Sequence, residues 1–309
     1  MRLSPLNEIE AEEPVANIDS TLRNSKRFQK FRNRLIREVP RIPNDRASLA
    51  ALESKGDSEL LRIYMCWKLR QVAIRPRRVT GQSALKADCR ATSLQPNIEA
   101  FIRAVEAGAD LNRYLSTKAH RHGYVLAADP EIADSRTWED KDFLLNVLGR
   151  HHFHLGLHKE ASGMMARTDE VLFGSVTRDT IRILGLFDHS VFDWSVDDAM
   201  APERERLWSF HDEARAEGAH SGAVLLDGFG GLGITTAGTP TAMTMNAIRQ
   251  MALIREIDQK LGDSKYVRTL FAEHPAPKKL RLEWHYNHLD FGLLNVPSGH
   301  FLCMIRGPN

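Results

Sequence analysis

The sequence predicts an α+β protein: a helical, basic N-terminal region followed by a mainly antiparallel sheet with flanking helices. Three observations carry this. Apolar residues recur at spacings of three and four through much of the first 115 residues, the period of a helix with one buried face. Short runs rich in Val, Leu, Ile and Phe occupy residues 150–192 and return at 280–306, bounded by turn residues. Thr177-Arg178-Asp179-Thr180 is short enough to close two of those runs into a hairpin. The expected organisation is an acidic disordered tail over 1–22, a helical basic region over 23–135, and an α+β domain over 136–309 that carries a histidine-rich strand.

In chain order, residues 1–22 hold five acids together with Pro5 and Pro14, a composition that gathers no core. Residues 23–46 carry nine Lys/Arg and two acids, with Phe28, Phe31, Leu35 and Ile36 near helical spacing; a basic amphipathic helix ending before Pro40 accounts for both. Its basic face suits phosphate contacts or plain solvation. Two helices follow between Ala47 and Val72, split at Gly56-Asp57, and the second aligns Leu60, Leu61, Tyr64, Met65 and Leu69. Arg75, Arg77 and Arg78 then crowd around Pro76 in a loop. Guanidinium forks match phosphate oxygens, so these three are candidate substrate contacts. Residues 96–115 form the clearest helix of this half, with Ile98, Phe101, Ile102 and Val105 inward and Gly108 as its stop.

A linker near 130–139 and a short helix over 140–148, stopped by Gly149, lead into the strand 150–158. Strands at 171–177 and 180–187 complete that unit. Residues 202–217 read as a helix with Pro202 in its first turn. GFGGLG at 228–233 reads as a turn between strands, because no helix opens directly after its glycines as a dinucleotide fingerprint requires. A helix over 240–261 and two strands, 280–289 and 301–306, joined around 296–299, finish the chain.

Charge is uneven. Residues 1–130 hold 23 Lys/Arg against 15 Asp/Glu, and residues 131–309 hold 19 against 25, although the whole chain is only +2. A basic half of this kind steers polyanions by long-range attraction, or docks on an acidic neighbour. No apolar run approaches the roughly 18 residues of a membrane span. The first residues lack the apolar run of a secretory signal, and Cys66, Cys89 and Cys303 are odd in number and scattered. These features lead to the expectation of a cytoplasmic protein without a membrane partner or a cofactor.

The chemistry concentrates between Arg150 and Phe192, where His151, His152, His154 and His158 fall within eight residues. In a strand, His152 and His154 share one face while Phe153 and Leu155 share the other, so two imidazoles are expected to look outward. Three uses compete. The first is metal coordination by His152, His154 and His158 with Asp188, His189 or Asp193, although no HExxH-type signature is present. The second is metal-free phosphodiester cleavage, in which one imidazole takes a 2′-OH proton, another protonates the leaving oxygen, and Arg stabilises the charged transition state. His152 or His154 with Arg167 and His189 would fill those roles. In the third, the histidines are hydrogen-bonded scaffold in a non-catalytic module that binds protein or nucleic acid.

The order HLG…RTDEVLFGSVTRDTIRILGLFDHSVF, about forty residues, resembles the core of RelE-type mRNA-interferase toxins. It matches in pattern: an Arg entering a strand, a short hairpin, and an apolar strand ending in a polar residue. The resemblance implies a ribonuclease of a bacterial toxin or phage-defence system acting on RNA, with a cognate antitoxin or other protein partner, and it points to Arg167 and His189 as site residues. The same stretch is similar to a broader group of uncharacterised bacterial proteins with a HHxHL run, which brings no activity with it. The reading taken forward is a metal-independent endoribonuclease with His152, His154, Arg167 and His189 at the site and Arg75, Arg77 and Arg78 on the substrate. Its alternatives are the binding module and a His-ligated metal-dependent hydrolase.

Overall fold

The computed structural model describes residues 22, 24–86, 88–126, 144–146, 148–193, 200–216, 233–235, 238–271, 277 and 279–308. Helix α1 (Lys26–Glu38) starts where Ser25 caps it by accepting from the Phe28 amide, and it ends two residues before Pro40. Helix α2 (Arg46–Glu53) is capped by Asp45, and α3 (Asp57–Leu69) begins directly after Gly56. Phe28, Phe31 and Leu35 of α1 pack against Leu60, Tyr64 and Met65 of α3, as their spacing predicts.

Most of the remaining wall of that core comes from the far end of the chain. Helix α8 (Thr241–Ile257) contributes Met243, Met251 and Ile254. A three-stranded antiparallel sheet, β7 (Leu282–Asn287), β8 (Asp290–Asn295) and β9 (His300–Ile305), contributes Trp284, Tyr286, Phe291 and Leu293. Strand β8 is a correction, since the sequence reading ran from 289 to 301 through a loop. Asp290, Gly292 and Asn295 break its strand pattern, and each has a local reason. Asp290 is a buried ion-pair partner, Asn295 bonds the Arg281 amide and the Lys279 carbonyl, and a Cβ at Gly292 would sit 1.9 Å from the Leu302 carbonyl oxygen.

A second sheet has the strand order β2 (Arg78–Thr80), β6 (Thr180–Asp188), β5 (Glu170–Val176), β4 (Arg150–His154). Strands β4, β5 and β6 are antiparallel, and β2 joins β6 in parallel, while the two-residue strands β1 (Arg41–Ile42) and β3 (Tyr124–Val125) pair in parallel apart from this sheet. Short helices α4 (Cys89–Ser93) and α6 (Thr117–Arg121) flank the longer α5 (Gln95–Glu106), whose Ile98, Phe101 and Val105 cover one face of this sheet with Phe153, Leu172 and Ile181. The other face is covered by Leu144, Leu148, Phe192 and Leu207, the last from α7 (Pro202–Ala216). The α+β class is as expected. The cores, however, do not follow the expected 135/136 division: one joins residues 22–69 to 243–305, and the other joins 72–119 to 153–186. The boundary residues, tail residues 1–21 and most of the Gly-rich turn lie outside the described residues. Of the strand expected after that turn, Ile234 makes one bridge to Pro240. No helix among the described residues is long and apolar enough to cross a membrane.

Two buried polar contacts tie these parts together. At the β5–β6 turn, Arg178 grips both carboxylate oxygens of Asp290 at 2.8 Å, joining the two sheets, and the Gly307 amide adds a third bond. His151, on the opposite parity from its histidine neighbours, is enclosed and bonds the Leu69 carbonyl at the end of α3 (3.1 Å). Arg178→Ala leaves a nearly dry carboxylate without its partner. We expect a loss of about 3 kcal/mol in chemical denaturation, the low end for a broken buried pair because the arginine is partly solvated; a loss under about 0.5 kcal/mol would show that the clasp is incidental.

Burial, helped by nearby Arg77 and opposed by the bond to the Leu69 carbonyl, pushes the His151 imidazole down to about 4. The unfolded chain therefore takes up a proton near pH 6.5 that the native state refuses. Stability from this group is complete above pH 6.5 and drains away as pH falls toward 4, by an amount on the order of 3 kcal/mol. Denaturation of wild type and His151→Gln across pH 7.5 to 4 should show the wild-type advantage shrinking with acid; a gap that stays constant across that range would refute the assignment.

Candidate functional site

Strand β4 sends Phe153 and Leu155 into the core beneath α5, and His152 and His154 to the opposite face, as the strand period dictates. That face does not look outward as expected. The 3-10 turn His189–Phe192 and α7 fold back across it, and Phe173, Phe187, Val191 and Phe192 form an apolar cluster there. His154 is left 4% exposed, while His152 keeps a partly open edge.

The three histidines expected at the site do converge. The His154 and His189 rings stack with centroids 5.8 Å apart and planes 22° from parallel, and His152 stands edge-on to His154 at 6.4 Å. His152 and His189 both meet the Phe192 ring edge-to-face, at 5.0 and 6.3 Å, so this phenylalanine sits between them. His189 Nδ1 lies 2.7 Å from the Asp169 carbonyl oxygen. A carbonyl only accepts, so Nδ1 carries the proton and the neutral ring presents its lone pair at Nε2, the arrangement of a general base.

The placement of His189 rests on charged groups that sequence reasoning missed. Arg90 of α4 and Arg206 of α7 both donate to the Leu186 carbonyl, at 3.0 and 2.9 Å, near the end of β6. Both also bind Asp88 and Glu203, and Glu203 accepts from the Asp188 amide at 3.2 Å. Asp188 then caps the turn through the Ser190 amide (2.9 Å) and hydroxyl, and these bonds hold its carboxyl below the usual range, hence ionised. The local sequence signal was Asp188 at an N-cap position two residues before Ser190; the distant partners gave none.

Arg167 is exposed on an arm over residues 155–169 that doubles back through Ala166 N to His158 O (2.9 Å) and Leu155 N to Thr168 Oγ1 (3.0 Å). It precedes Asp169, whose carbonyl orients His189, by two residues. His158 lies out on the arm, exposed. Among the described residues no three His, Cys, Asp or Glu side chains are grouped to hold a metal ion, so the expected His152–His154–His158 ligand set is not assembled.

The arginine trio separates. Arg77 turns inward to the carbonyls of Ala73 (2.7 Å) and Thr177 (2.8 Å) at 3% exposure, which corrects its expected role on the substrate. The physical reason is that it closes the chain between α3 and the β5–β6 turn, where buried carbonyls need donors. Arg75 is half-buried and Arg78 exposed on β2. Strands β2 and β4 are opposite edges of the sheet, three strand spacings or about 14 Å apart. On α1, Arg27, Lys30, Arg32 and Arg34 are bound to Asp258, Glu283, Asp57 and Glu38, so much of its basic face is neutralised within the protein.

Nitrogen-15 spectra of the neutral imidazoles should show His189 as the Nδ1–H tautomer; the Nε2–H form would break the proposed link to Asp169. No protein-family model, curated protein or solved structure matches this chain.

Proposed function

We propose that the chain is a metal-independent endoribonuclease of a bacterial toxin or phage-defence type. The observation that carries the reading is the His189 ring, oriented by a backbone carbonyl and stacked on a second imidazole at the end of the sheet. In this reading His189 Nε2 takes the 2′-OH proton of the substrate. His152, the strand histidine with an open edge, delivers a proton to the leaving 5′ oxygen. Arg167 on the adjacent arm offsets the charge that develops on the phosphorus oxygens. His154 is a positioning residue: its buried ring stacks on His189 and supports it. The RelE-like order of residues 150–192 supports the same reaction class and implies an antitoxin or similar protein partner.

A non-catalytic RNA-binding module is the second reading. The near-complete burial of His154 and the packing of His152 between Phe173 and Phe192 favour it, because scaffold histidines look the same.

The deciding experiment is cleavage of total RNA, free and ribosome-bound, by wild type, His189→Ala and Arg167→Ala proteins, each with and without EDTA. The ribonuclease reading expects cleavage that survives EDTA and falls about 10²- to 10⁴-fold in His189→Ala while the melting temperature holds. Undiminished cleavage in both variants would remove the assignment, and stable RNA binding without turnover would move the weight to the binding module.

A further inference from the structure

The sheet face that bears His152 has a second, polar end. Residues paired directly across neighbouring strands project to the same side. His152 pairs with Phe173, and one step along, Arg150 pairs with Ser175. Ser175 in turn pairs with Arg182 on β6, and Arg182 with Thr80 on β2. These registers set one row across all four strands: Arg150, Ser175, Arg182, Thr80. The next step on the β2 side is Arg78 opposite Thr180. The strand positions on this face hold Arg, Ser, Thr, His or apolar residues, and no carboxylate. Burial deepens along the row, from exposed Arg78 through half-buried Arg182 and Ser175 to Arg150 at 9%.

We propose that this row is the track for the sugar-phosphate backbone of a single-stranded RNA, entering over Arg78 and Arg182 and ending at Arg150, one strand step from His152. The backbone positions of Arg150 and Arg182 are two strands, about 10 Å, apart, with Ser175 between them as a neutral donor. Planar forks of this kind take phosphate oxygens in pairs, and a rigid sheet holds them without ordering a loop. The inference rests on the ribonuclease reading for its direction toward His152. It also gives Arg78 a role, as the outermost member of the row, that the loop expected around Pro76 did not explain.

The test is fluorescence anisotropy with a 2′-O-methyl RNA of about 12 nucleotides, which binds without being cut, titrated between about 50 and 200 mM salt. The proteins are wild type, Arg182→Gln, Arg78→Gln, and Arg103→Gln on α5 beneath the opposite face, each checked for an unchanged melting temperature. We expect Arg182→Gln and Arg78→Gln to bind about tenfold more weakly, as the loss of one charge-assisted contact. Their salt slope should fall by about 0.7 for the lost phosphate contact, with Arg103→Gln like wild type. Equal binding by all four proteins, or no binding by wild type, overturns the track. Cleavage of unmodified RNA is read in parallel: binding that follows this pattern without cleavage leaves the track standing and ends the ribonuclease reading, whereas cleavage with unchanged binding in the arginine variants does the reverse.

Discussion

A sheet covered on both faces leaves its interior polar groups no water to turn to, and much of this structure follows from that constraint. Strands β4, β5 and β6 have α5 beneath them and, over the end that carries His152 and His154, Phe192 and α7 above. A polar group closed in this way costs free energy unless the protein supplies its partner. His151 is met by the Leu69 carbonyl and Arg77 by two carbonyls. Asp88 shows the balance most clearly: burial raises its carboxyl, but Arg90 and Arg206 outweigh burial, and it is held below the usual range. Such groups read as chemistry in a sequence and turn out to be joints.

The same constraint sorts the histidines. His151 and His154, inside the cover, serve packing and orientation, and at the end of β6, where the chain leaves the sheet, His189 combines a fixed tautomer with partial access to solvent. The clamp formed by Asp88, Arg90, Glu203 and Arg206 matters for this reason, since it fixes the last turn of chain before His189 from two helices at once. Removing rotational freedom before substrate arrives is a general means of lowering a barrier.

Local periodicity made the helices and the β4–β5–β6 meander legible. Gly108 and Gly149 stand at the helix ends they were expected to mark, both with positive φ. The convergence of His152, His154 and His189 was legible too, because a short hairpin fixes which strand ends meet. Four things were not. Strand β8 was hidden because Asp290, Gly292 and Asn295 answer to distant partners and close backbone approach, not to strand propensity. The cover over His152 and His154 was hidden because strand parity says which residues share a face and nothing about what packs on it. Arg77 carried the same charge as Arg75 and Arg78, and only the fold turned it inward. The row from Arg150 to Arg78 needed registers between four strands separated by up to a hundred residues.

The core that joins α1 and α3 to α8 and the C-terminal sheet has a consequence for synthesis. The apolar stripes of α1 and α3 leave the ribosome about 220 to 250 residues before their partners on β7 to β9 are made. At roughly 5–20 residues per second that is a wait on the order of ten seconds to a minute. Until α8 and then β7 to β9 are made, Phe28, Phe31, Leu35, Tyr64 and Met65 have cover only from the N-terminal part of the same core, such as Leu52, Leu60 and Leu69. The β4–β6 meander, whose strands lie close in sequence, can pair long before. The order of folding is therefore the reverse of the order of the chain at its ends: the middle closes first, and the earliest helices are among the last to be buried.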